Sequence, residues 1–260
     1  MSLARTLVLG FIAGATIVLG LPVGRLRHPA ERLRALLSAL AVGVLIFLVV
    51  DVFANALAPV QDALAAVHRG AGHPARAILY VALLLAGTAV GLLALVLVGR
   101  RPRRGGAAPS ARELSLMIAS GIGLHNFGEG LAIGASARSG ALGLSTVLVV
   151  GFALHNATEG FGIVSPLAGA ERRPGWGFLA LAALIGGGPT TIGTLVGWVA
   201  TSTALRILFL ALAGGSIVYV VGQILFVLGR SRHATTVYVG ITAGLLAGFA
   251  TDLVVSLAGG

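Results

Sequence analysis

Residues 123–130 read GLHNFGEG and residues 153–160 read ALHNATEG. Each stretch sets a histidine, an asparagine and a glutamate inside a run of Leu, Ile, Val, Ala and Gly, and the copies lie thirty positions apart. On a helix turning about 100° per residue, His125, Asn126 and Glu129 fall within one arc of about 100°, with Glu129 in the middle. His155, Asn156 and Glu159 repeat that arrangement. A carboxylate in so apolar a run is costly unless something compensates it, so the surroundings of the two motifs decide the fold.

Those surroundings are apolar throughout. Of the 260 residues, 57% are hydrophobic and only 10% are charged, against about a quarter charged in soluble domains. This excludes an ordinary soluble fold and implies an integral membrane protein. The absence of cysteine excludes disulfides and thiolate metal ligands. The net charge of +10 comes from arginines clustered between apolar runs, which is the pattern of membrane flanks and not of a nucleic-acid-binding face.

A membrane-crossing helix needs about twenty apolar residues. Eight such runs can be drawn, at 5–22, 36–58, 77–99, 114–135, 141–164, 177–200, 205–228 and 236–258. They predict an all-α membrane protein, an eight-helix bundle forming a single transmembrane domain over residues 1–260. The runs are too long for barrel strands. Only RRPRRGGAAPS at 100–110 resembles a linker, giving a short cytoplasmic loop at about 100–112. The first run reads as a retained span and not a secretory leader, because its small-residue cleavage site is poor and arginines follow it.

Arginines on alternate sides of these runs number thirteen and five. The richer side faces the cytoplasm, so both termini are expected outside the cytoplasmic (inner) membrane. Consecutive spans run in opposite directions. The two trios can therefore face each other across an approximate two-fold axis in the membrane plane, as in inverted-repeat transporters. Two facing carboxylates repel, and a divalent cation between them removes the conflict. Nitrogen and oxygen donors without sulfur suit Zn²⁺ first, with Fe²⁺, Mn²⁺ and Co²⁺ also compatible. On this reading the His and Glu side chains of the two spans converge within about 5 Å. One HNxxE motif alone reads more simply as a hydrogen-bonded helix contact; two copies at mid-span favour the metal.

HNFGEG and HNATEG on the fourth and fifth of eight spans, with the glycine-rich GGSIVYVVGQ at 214–223, resemble the ZIP family of divalent metal transporters. The resemblance implies metal ligation by His125, Asn126, Glu129, His155, Asn156 and Glu159. It also implies import by alternating access, with the metal as cargo and not cofactor. Four positions depart from the family pattern: Gly128 and Thr158 stand where Pro often precedes Glu, Gly188 stands before Pro189 where Glu is common, and Gln223 replaces an acid. The lost acids argue for one metal and not a pair. An intramembrane metal-dependent enzyme remains open, although neither motif is HExxH or ExxH; so does a transport-inactive metal-binding relative.

The remaining polar residues read more plainly. Asp51 and Asn55 are expected to pair along one helix face near the outer surface, and Asp252 to cap the outer end of the last span. His68 and His73 are placed in an outer loop. Gly186-Gly-Gly-Pro189 is expected to break or kink the sixth span, with Thr190 and Thr191 as weak candidate oxygen ligands. Glycines at 10, 14, 20, 193 and 197 permit close helix packing and leave room for a homodimer.

Overall fold

Each apolar run is a helix in the computed structural model, which describes residues 1–26, 31–99, 110–140, 142–167, 173–200 and 202–257. In chain order these are α1 (Leu3–Ala15), α2 (Glu31–His68), α3 (Pro74–Gly99), α4 (Ala111–Arg138), α5 (Leu142–Val164), α6 (Trp176–Val199), α7 (Thr203–Leu228) and α8 (Ala234–Leu257). No strand occurs among the described residues. The loop expected at 100–112 falls mostly outside them. What is described there is the start of α4, where Ser110 and Glu113 form a reciprocal capping box, satisfying backbone donors that the first turn leaves unpaired.

Among the described residues, six segments are long and apolar enough to cross a membrane: Leu3–Arg25, Glu31–His68, Pro74–Leu97, Trp176–Val199, Thr203–Leu228 and Ala234–Val254. They make this an integral membrane protein. α4 is not among them. Its polar trio and glycines dilute its hydropathy, which it can tolerate because 17 of its 28 residues are buried against protein. α3 is the opposite case. Its described buried residues, Ala77, Leu84, Gly87, Gly91 and Leu95, form one stripe at helical spacing, and the rest of its surface suits lipid.

Small residues set how closely the helices approach. A Cβ on Gly123, Gly130 or Gly134 of α4 would strike the backbone carbonyl of Ile185, Thr190 or Thr194 of α6. Gly193 and Gly197 of α6 meet the carbonyls of Phe127 and Leu131 in return. Residue numbers rise together along this contact, so α4 and α6 run parallel. α1 crosses α6 the other way, with Gly14 against Gly187 and Gly10 against Thr194. α5 runs parallel to the N-terminal segment, since Gly20 meets Ala157 and Gly24 meets Val164. α4 and α5 are therefore antiparallel, as their motifs required.

Both tryptophans lie on α6. Trp176 stacks under the guanidinium of Arg25 at 4.6 Å. Trp198 stacks under that of Arg138 at 5.9 Å, and its carbonyl accepts a bond from Arg138 Nη1 at 2.9 Å. Their separation along the helix, about 33 Å at 1.5 Å per residue, matches a hydrocarbon core of about 30 Å edged by aromatic residues. Residue 187 is midway between them along α6.

Three local expectations need correction. α6 continues without a break through Pro189. α2 does not stop near 58 but runs through Pro59 to His68, because the Ala-rich segment beyond the proline favours helix and the missing bond affects one turn only. His68 thus ends a helix instead of sitting in a loop, and the chain turns just after it at Gly70, whose φ of 70° suits a residue without Cβ. The first span is not uniform either: α geometry stops at Ala15, and 3₁₀ turns follow at Thr16–Leu19 and Leu21–Arg25.

Candidate metal centre

α4 and α5 present their motifs to each other and to the backbones of α1 and α6. His125 is 4% exposed, Asn126 0%, Glu129 5%, Asn156 0% and Glu159 1%. Within α4, His125 Nε2 lies 3.2 Å from Glu129 Oε1, the one-turn contact that four-residue spacing creates. Across the helices, Asn156 Nδ2 donates to Glu129 Oε2 at 3.3 Å. Glu129 is thus the meeting point of the two motifs. Asn126 Nδ2 donates to the Gly186 carbonyl of α6 at 3.0 Å, which sets the α4 motif beside the stretch of α6 midway between its two tryptophans.

The His155 side chain lies outside the described residues, although its backbone forms part of α5. Among the described residues, no three His, Asp or Glu side chains gather closely enough to hold a metal. The contacts described are pairwise and centre on Glu129. Asn126 Oδ1 and Asn156 Oδ1 are buried and accept no hydrogen bond among the described residues, so each keeps an oxygen lone pair for some other partner.

Two polar backbone groups at the cluster carry no side-chain signal in the sequence. Asn156 Nδ2 also donates to the Ala13 carbonyl at 3.1 Å, and that carbonyl accepts from Thr16 Oγ1 at 2.7 Å. α1 therefore enters the cluster through its main chain, at the end of its α geometry. On α6 the other contributor is the Gly186 carbonyl. Thr190 is fully buried and its hydroxyl has no described hydrogen-bond partner; it faces Gly14 of α1. Thr191 is only half-buried. A side chain at Gly188 would grow along Leu184 of its own helix, and Leu184 is exposed. Gln223 is half-buried on α7. Asn55 Nδ2 binds Asp51 Oδ1 at 3.0 Å, the surface pair expected.

The fold and this cluster define a polytopic helical membrane protein with a buried ionisable centre. The chain belongs to the ZIP zinc transporter family, whose model matches residues 100–254, a stretch that includes both motifs. No curated protein matches the chain. Membership makes it a transporter of divalent metal, with the ion as substrate and the lipid bilayer as surroundings.

Proposed function

We propose that this protein imports a divalent transition metal, Zn²⁺ before Fe²⁺, Mn²⁺ or Co²⁺, across the cytoplasmic (inner) membrane. His125, Glu129, His155 and Glu159 bind the ion, and Asn126 and Asn156 add carbonyl oxygens. All eight helices cross the bilayer as one transmembrane domain, both termini lie outside, and the two motifs are related by an approximate two-fold axis. The observation that carries this reading is Glu129, which touches His125 of its own motif and Asn156 of the other. Two carboxylates, Glu129 and Glu159, are almost fully buried in the same helix pair. A dication offsets their desolvation where water cannot.

The test is uptake of radioactive zinc by cells expressing wild type or Glu129→Ala at equal membrane abundance. Uptake well above that of empty cells, lost in the variant, is the expected result; equal uptake in the two removes the proposal. Gly188 and Gln223, standing where the family commonly carries acids, favour a single bound ion. They also support the second reading, a relative that binds metal without moving it. Metal binding by purified wild type without flux into proteoliposomes would establish that alternative.

A further inference from the structure

We infer that the backbones of α1 and α6 lock the two asparagine amides with their oxygens toward the ion, and that the centre therefore requires Asn and not Asp at 126 and 156. The inference rests on the metal-site reading above. A carboxamide has one donating end and one accepting end, whereas a backbone carbonyl only accepts. The Gly186 carbonyl therefore takes the nitrogen end of Asn126. The Ala13 carbonyl takes that of Asn156, whose other N–H goes to the Glu129 carboxylate. A flipped Asn156 would set its oxygen against two acceptors at once, so its orientation is fixed.

The opposite ends are then determined. Both Oδ1 atoms are buried and accept no hydrogen bond from a described residue, an arrangement proteins seldom leave unfilled. An amide oxygen is a competent ligand for a divalent cation. The two anchoring carbonyls also belong to one support, because Gly14 and Gly187 bring α1 directly against α6. Ala13 sits where α1 gives up α geometry, and the Thr16 hydroxyl on the same carbonyl helps hold it in place. Asparagine at 126 and 156 thus acts through two contacts, a nitrogen held by a scaffold helix and an oxygen offered to the ion.

Simple charge counting points the other way, since a carboxylate attracts a dication more strongly than an amide does. Here aspartate has no N–H for either anchor. At 156 it would face the Ala13 carbonyl and the Glu129 carboxylate together, and the ligand oxygen would lose its orientation. Purified wild type, Asn156→Asp and Asn126→Asp are titrated with Co²⁺, following its d–d absorption, with Zn²⁺ as competitor. Each aspartate variant is expected to bind about ten-fold more weakly or worse, with a shifted visible band reporting changed ligand geometry. Binding by a monodisperse aspartate variant as tight as wild type, or tighter, with an unchanged band overturns the inference. If Asn156→Asp does not stay monodisperse, Asn126→Asp decides it, since no described carboxylate contacts that amide nitrogen. Wild type that binds no Co²⁺ would instead overturn the metal-site reading, and this inference with it.

Discussion

Glu159 and Asp51 are both acids on apolar helices, and burial separates them. Glu159 is 1% exposed in the helix pair that carries the motifs. Asp51 is half-buried and accepts from Asn55 one turn away, a pair type that contributes about 0.2–0.5 kcal/mol. Glu159→Gln keeps the shape and removes the charge, so zinc uptake is expected to fall by about ten-fold or more, the cost of a lost ligand or its support. Asp51→Asn is expected to leave uptake near wild type and to move thermal stability by less than about 0.5 kcal/mol. If both variants transport alike in a side-by-side assay, burial is the wrong guide to the site.

Helix contacts in this protein are governed by glycine, and two glycines give opposite expectations. On Gly130 a methyl group would meet the Thr190 carbonyl and the Thr194 amide nitrogen, backbone atoms that cannot swing aside. Gly130→Ala is expected to lose about 1–3 kcal/mol, the usual cost of overpacking a tight contact. Gly222 on α7 has nothing within 4 Å of the same position, so Gly222→Ala is expected to gain up to about 1 kcal/mol of helix stability. Thermal unfolding in one detergent checks both, and shifts of the same sign would contradict the packing. At this scale the sequence was informative where hydropathy and spacing suffice. Apolar runs gave helices, the repeated HNxxE set one polar face on each of α4 and α5, and glycine spacing anticipated close packing. It was silent where the backbone acts. Nothing in Ala13 or Gly186 announces a carbonyl that binds asparagine, because a main-chain acceptor is common to every residue. Pro59 invited a helix end that the Ala-rich segment beyond it overrides, and the 3₁₀ turns after Ala15 depend on packing against α5 and α6.

Whether α4 and α5 cross the bilayer determines the shape of the whole molecule, and their neighbours argue that they do. α4 runs parallel to α6 along nearly the whole of that helix: near its start Arg112 stacks on Phe178 at 5.4 Å, and at its end Arg138 binds Trp198. A helix clipped to both ends of a span long enough to cross is expected to cross with it. α5 is similarly aligned with the N-terminal segment through Gly20 and Gly24. If α4 and α5 both cross, Ser139 lies outside, opposite the arginine-rich side that holds Gly229. If neither crosses, Ser139 stays on the arginine-rich side, while Ser2 and Ala71 keep their places. The chain contains no cysteine, so one introduced thiol is the only one present. Ser2→Cys, Ala71→Cys, Ser139→Cys and Gly229→Cys replace exposed residues, and each can be challenged with a membrane-impermeant maleimide in intact cells. The first three are expected to label at once, and Gly229→Cys only after permeabilisation. A Ser139 thiol protected together with that at Gly229 would reduce the bundle to six crossings, and the buried glutamates would then lie on two helices that do not cross.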